Sequence, residues 1–441
     1  MTEAIQKEQR ASWLSGVVSA LRDPAVQLRN VDRLAVLIAI LLPWSTTGVG
    51  IAVALWLMAL VPTLEPRALW RSLARPASAL PLLLVALALV GTLWSDGVWH
   101  ERSHVLGQVS KLLVLPLLIY HFQRSPHGVW VFTAFLASCA LLAVVSCVAF
   151  LDPNFSAKLY FSRGPYLPIK GVFVKNYIDQ GQELSLCAVA LAYPVVTLLQ
   201  EKRVKLALLL AAIALGLVAN MMFVVTSRTA LVTMPAMLAV FALLHLRWRV
   251  ALATLCTAAL VVAALWYASP ILRATVGKFV ADYRQSEELN NISGMGSRLE
   301  YWRKSLTFIA EAPVIGHGTG ATRGLFERAA TGVKGPSSEV VSDPHNQTLN
   351  VAVQWGALGV VVLYAMWIAH LLLFRGEGLS SWIGLLVVIQ NMLTSLFNSH
   401  LFDFAEGWIY VLGVGVAAGL TLGALGGREA VPDQGHAGQK Q

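Results

Sequence analysis

Twelve runs of apolar residues, near 33–45, 48–62, 78–94, 105–122, 127–151, 181–200, 204–225, 229–246, 249–268, 347–374, 380–397 and 407–425, follow one another with little between them. A hydrocarbon core takes ~20 helical residues to cross. Inside it every backbone polar group must be paired within the protein, which favours helices. Charged residues make up only 13% of the 441 positions against 56% hydrophobic, too few to cover a water-soluble surface. The sequence therefore predicts an all-α, polytopic integral membrane protein of about 12 transmembrane helices. The first pair of spans, split at Pro43, is the least regular.

Basic residues in short loops set the orientation. With the N-terminus inside, the short cytoplasmic loops hold Arg67, Arg71, Arg75, Arg124, Lys202, Arg203, Lys205, Arg247, Arg249 and Arg375, and the short outer loops only Arg102 and Arg228. Both termini are then cytoplasmic. The chain divides into an N-terminal segment 1–32, helices 1–9 over 33–268 with an outer loop at 152–180, a large outer loop 269–345, helices 10–12 over 346–425, and a cytoplasmic tail 426–441. Residues 1–32 lack a cleavable signal. Trp13, Val17 and Leu21 suit either an amphipathic helix lying on the membrane or a solvated tail. Cys139, Cys147, Cys187 and Cys256 all lie in apolar runs, which argues against a disulfide framework or a zinc knuckle. The two long outer loops are basic, and the net charge of +9 suits anionic lipid or a phosphorylated substrate rather than nucleic acid.

Ser342-Asp343-Pro344-His345-Asn346 precedes the run that starts near Gln347. Asp343 as cap and Pro344 at the first position would leave His345 in the first helical turn, where the positive helix end favours a neutral imidazole able to accept a proton. Ser297 and Glu300 read as a capping box opening an interfacial helix over 297–310, with Leu299, Trp302, Leu306 and Ile309 on one face and Arg298 and Arg303 at its borders. Arginine's planar fork suits phosphate, although attraction to lipid headgroups explains the same pattern. Arg228, in a tight turn, must lie close to the membrane, where charge is functional or snorkels. Arg163 and Lys175 in the 152–180 loop are further candidates by charge and position.

Gly316-His317-Gly318-Thr319-Gly320 lacks the Lys-Ser/Thr of a phosphate-binding loop and reads as a turn. His100-Glu101-Arg102-Ser103-His104 matches the HExxH pattern of zinc proteases without a third ligand, so an ordinary polar helix start competes with a metal site. No Asp-x-Asp pair occurs, which disfavours metal-dependent transfer from a nucleotide sugar.

His345-Asn346 followed by Leu349 and Gly356, Ser227-Arg228 after a mid-chain span, Arg298 with Trp302 ahead of Pro313 and Gly316, and the early Leu93-Trp94-Ser95-Asp96 resemble the O-antigen ligase family, within the superfamily of O-antigen polymerases and O-oligosaccharyltransferases. The layout is similar over nearly the whole chain. The resemblance implies a GT-C-type glycosyltransferase fold in the bacterial inner membrane, with a large periplasmic loop and no cofactor. It also implies transfer of O-antigen from undecaprenyl pyrophosphate to lipid A-core on the periplasmic face. His345 takes the place of the motif histidine, and Arg228 and Arg298 those of essential arginines; Asn346 and Arg303 would support them. Arg163 and Lys175 have no motif counterpart and join the pyrophosphate-binding set on charge alone.

A glycan on pyrophosphate has a good leaving group, so arginines and one general base suffice, and one-step displacement inverts the anomeric centre. Polymerase and protein O-oligosaccharyltransferase are the nearest rival readings. A lipid-linked glycan transporter or a zinc metalloprotease at His100 and His104 would be a different class.

Overall fold

A computed structural model of the chain describes residues 23–152, 155, 171–172, 174–225, 227–270, 273–274, 277, 294–332 and 338–429. The Trp13–Leu21 segment and Arg163 lie outside the described residues, and so does the side chain of Arg228. In chain order the helices are α1 (Pro24–Leu41), α2 (Thr46–Leu60), α3 (Pro66–Leu73), α4 (Pro76–Val90), α5 (Trp99–Ser110), α6 (Val114–Phe122), α7 (Gly128–Leu151), α8 (Tyr177–Ala190), α9 (Ala192–Gln200), α10 (Val204–Phe223), α11 (Arg228–His245), α12 (Trp248–Ala268), α13 (Gly294–Glu311), α14 (Thr322–Ala330), α15 (Gln347–Leu373), α16 (Leu379–Thr394) and α17 (Phe404–Glu429). No strand occurs among the described residues.

Each of the apolar runs falls on a helix. Among the described residues seven helical stretches are long and apolar enough to cross a membrane, or eight if α3 and α4, bent by 80°, count as one broken span; α11 and α16 are apolar but shorter. Outward-facing leucines such as Leu208, Leu209 and Leu215 on α10 suit lipid contact. Inside, α17 packs closely on α6 because Leu118 fits against Gly415 and Phe122 against Gly419. All four cysteines are free thiols.

Two boundaries differ from the sequence reading. The first helix starts at Pro24, ahead of the apolar run, because Asp23 caps it by accepting the Ala25 N–H at 2.9 Å. Buried Asp32 is retained in it by bonds to His121 and His127 at 2.7 and 2.9 Å. The second difference is in α13, which opens at Gly294, so Ser297 lies within its first turn and is not the cap. Its inward face is Tyr301, Ser305 and Phe308, packed with Phe326 of α14, whereas Leu299 and Leu306 point outward. That outward apolar edge suits a helix lying along the membrane boundary.

The element that fixes the His345 end of the bundle is a break in α15. Gly356 has φ 60 and ψ −156, a conformation open essentially to glycine alone. The carbonyls of Val353 and Gln354 thereby lose their usual helical donors. They accept instead from the His317 and Gly318 amides at 2.9 and 2.8 Å, while the Ala357 and Leu358 amides donate to Pro313 and Val314 at 2.8 and 3.2 Å. The glycine-rich turn predicted after α13 is thus a strap across the break. It also reaches α4, where Thr319 donates to the Ala88 carbonyl at 2.6 Å.

A Cβ on Gly356 would meet the Val314 carbonyl carbon at 2.4 Å, whereas one on Gly50 meets nothing within 4 Å. Gly356→Ala is expected to destabilise the detergent-solubilised protein by at least ~1–3 kcal/mol, the cost of such a backbone conformation, and Gly50→Ala to leave the thermal midpoint within error.

Candidate functional site

Three segments converge on His345: its own loop, α13, and the turn between α16 and α17. The loop departs from the sequence expectation. Asn346 is the cap of α15, accepting the Leu349 N–H at 3.1 Å, so His345 precedes the helix and is not in its first turn. Asp343 instead closes a turn on the residue two positions on, as aspartate side chains favour. Its Oδ1 accepts the His345 N–H at 2.8 Å and the Ser399 hydroxyl at 2.7 Å. His345 is held at φ 55, in the left-handed region that few residues with a Cβ adopt. Such strain persists where the surroundings over-determine it, and it clusters at functional sites. From α13, the Trp302 indole donates to the Pro344 carbonyl at 3.1 Å and the Tyr301 ring lies 6.1 Å from the imidazole.

The inner face of α15 carries Gln347, Asn350 and Gln354, one buried polar stripe at helical spacing. It conducts a directed series of hydrogen bonds. The Gly320 N–H donates to Gln354 Oε1 at 2.8 Å, Gln354 Nε2 to Asn350 Oδ1 at 2.7 Å, Asn350 Nδ2 to the Ser399 hydroxyl at 3.0 Å, and Ser399 to Asp343. The strap and the His345 loop are therefore joined through α15. Opposite, the His345 Nδ1 meets Asn398 Oδ1 at 2.7 Å and Asn398 Nδ2 donates to Asp403 Oδ2 at 2.7 Å. Buried Lys111 donates to the carbonyls of Phe402 and Asp403 and fastens the same turn from below.

Asn398, Ser399 and Asp403 were not singled out from sequence. The available signal is the polar density of Asn398-Ser399-His400 with Asp403 and Glu406, wedged between two apolar runs.

The basic residues separate into groups. Arg298 stands close enough to Asp343 and His400 to influence both electrostatically. Arg303 turns outward, its side chain 72% exposed and its fork engaged by Glu300 at 2.8 Å on both oxygens. Asn346 ties α15 to the Leu396 carbonyl at 3.2 Å and has a structural task beside His345. Lys175 is buried and committed internally, donating to the Leu42 carbonyl and pairing with Glu183 at 3.3 Å. Arg228 begins α11 directly after the capping residue Ser227.

Burial raises the Asp343 carboxyl above its ordinary value, against the pull of the Ser399 hydroxyl, His345 and Arg298. Burial, with Arg298 and His345 nearby, lowers His400 to about 3, which keeps that ring neutral at pH 7. Desolvation, Asp343 and Asp179 push Asp403 up to about 7. Among the described residues His400, Asp403 and Glu406 present ligand atoms within 4.8 Å of one another and form a group that could hold a metal ion. The HExxH residues are placed differently: Glu101 faces Arg323 at 3.8 Å, and His104 lies 3.2 Å from Gln108. His100 and His104 line a cavity of about 1010 Å³ whose walls run from Val53 and Leu57 to Lys111 and Asp403. A smaller cavity shares His104 and Gln108 with it and reaches Asp343 and Asn350.

The model of the O-antigen ligase family matches residues 213–364. The resemblance to that family is borne out over this segment. No curated protein matches the chain. The O-antigen ligase segment spans about a third of the chain, from α10 into α15, and contains Arg228, Arg298, the strap and His345. Members of this family are glycosyltransferase-type enzymes of O-antigen processing. Lys175 and the Asn398–Asp403 turn lie outside the matched segment.

The internal pairing of Lys175 gives a test of its role. Removing one partner of a buried ion pair leaves an uncompensated charge, at a cost of roughly 3–5 kcal/mol. Lys175→Met is expected to lower the thermal midpoint in detergent, and the double variant Lys175→Met/Glu183→Gln to recover most of it. A substrate-binding lysine would instead leave the midpoint unchanged and raise KM in both variants.

Proposed function

We propose that this protein is an O-antigen ligase of the bacterial inner membrane. It transfers glycan from undecaprenyl pyrophosphate to lipid A-core on the periplasmic face, with a GT-C-type bundle of twelve spans and both termini cytoplasmic. The observation that carries the reading is the strained, over-held His345, which lies with Arg298 in the family-matched segment and directly ahead of a long apolar helix.

The acceptor hydroxyl oxygen attacks the anomeric carbon from the face opposite the pyrophosphate. His345 takes the hydroxyl proton as general base, which contributes typically 10²–10⁴-fold. The new C–O bond forms as the bond to the phosphate oxygen breaks, so the anomeric centre inverts. Undecaprenyl pyrophosphate departs with the electron pair. Arg298 and Arg228 stabilise the charge on that oxygen, as preorganised cations do in a water-poor site. Because the leaving group is already weakly basic, the step needs neither a protonating acid nor a metal. The cavity lined by His100, His104 and Gln108 is of a size that takes a substantial part of a lipid-borne substrate.

Polymerase is the rival reading, since it shares the donor. Purified protein in proteoliposomes, given lipid-linked glycan and lipid A-core as sole acceptor, is expected to make capped lipopolysaccharide; a core left bare would overturn the ligase reading in favour of a polymerase. His345→Ala should abolish transfer, by about 10²-fold or more, while inserting normally, and Arg298→Ala should lower it strongly. A chelator added to the same assay should leave the rate unchanged. A rate that collapses on chelation would make His400, Asp403 and Glu406 the first place to look for a bound ion.

A further inference from the structure

His345 can act as a base only if the nitrogen facing substrate carries the lone pair. The structure holds a device that decides this. Asn398 Nδ2 is 2.7 Å from Asp403 Oδ2, and its Oδ1 is 2.7 Å from His345 Nδ1. The Asp403 Oδ2 thereby takes the amide N–H₂ of Asn398 and sets which way the amide is turned. The amide oxygen must then face the imidazole, and an oxygen without hydrogen can only receive a bond from Nδ1–H. With Nδ1 protonated, the neutral ring carries its lone pair on Nε2, which has no hydrogen-bond partner among the described residues. Asp403 is itself anchored, because Lys111 holds its backbone carbonyl and that of Phe402.

We propose that Asn398, oriented by Asp403, is a positioning residue that fixes the tautomer and ring plane of His345 so that Nε2 faces the acceptor hydroxyl. The imidazole is held from three sides. Its backbone amide is bound by Asp343, its Nδ1 by Asn398, and its face lies beside Tyr301. This inference rests on the reading of His345 as the general base, and it assigns the loop between α16 and α17 a part in the reaction although that loop lies outside the family-matched segment.

Two variants separate positioning from simple packing. Asn398→Leu removes the acceptor for Nδ1–H and is expected to lower kcat by about 10²-fold, at the lower end of what a general base supplies, with KM for the lipid-linked donor within about 3-fold. Asn398→Asp keeps an oxygen for Nδ1–H, with one proton shared between the new carboxyl and Asp403, and is expected to hold kcat within about 10-fold of the parent.

Parent-like kcat in Asn398→Leu would overturn the proposal. So would an Asn398→Asp protein that inserts normally but is as slow as Asn398→Leu. If His345→Ala retains activity, the general-base reading itself fails. If His345→Ala is inactive and Asn398→Leu is not, only the tautomer assignment falls.

Discussion

An interrupted helix inside a membrane protein must find partners for the backbone groups that the break exposes, because lipid supplies none. In α15 the interruption is Gly356, and the partners are the amides of His317 and Gly318 and the carbonyls of Pro313 and Val314. Four backbone bonds therefore replace two helical ones, and they come from a segment that would otherwise be a surface connection. This exchange ties the outer loop to a long apolar helix and fixes the end of α13. Since α13 carries Arg298 and α15 opens just after His345, the strap sets the distance between the charge that would meet a phosphate and the base that would meet a hydroxyl.

Polar side chains extend the same fixation sideways. Gln354, Asn350, Ser399 and Asp343 form a series in which each group donates in one direction, and a directed series has few alternative arrangements. Buried polar groups of this kind are costly unless satisfied. On the far side of the imidazole, Lys111 spends its charge on two main-chain carbonyls and so makes a rigid shelf of the turn that carries Asn398. His345 thus keeps a left-handed backbone because Asp343, Trp302 and Asn398 each constrain its loop from a different element.

Much of this was legible in the sequence, and the limits follow from what kind of information each feature carries. Apolar runs are local, so the helices that carry them could be placed, whereas seven or eight of them among the described residues are long enough to cross a membrane. The resemblance at Arg298, Gly316 and His345 marked the segment that the O-antigen ligase model matches. The start of α15 was misplaced because Asp343 and Asn346 are both good capping residues, and the choice between them depends on Ser399, far away in sequence. Gly356 was visible as part of a motif, but its positive φ is meaningful only with Val314 against it. Lys175 looked available for an anion because its partner Glu183 lies inside an apolar run. The turn at 398–406 passed unnoticed because its polar residues are few and become a site only when folded under His345.

The placement of charge follows a consistent economy. Arg303 pairs with its own helical neighbour at the exposed edge, where such a pair contributes little. Arg102 folds back on the carbonyls of Thr92, Ser95 and Gly97 and shapes the turn against which the strap rests. Lys111 and Lys175 are absorbed by carbonyls and a carboxylate. Near the site Arg102, Lys111 and Lys175 thus hold backbone in place, whereas Arg303 and Arg323 pair with glutamates. Arg298 differs in its reach, since it lowers the proton affinity of both Asp343 and His400, the carboxyl and the ring that flank the His345 loop.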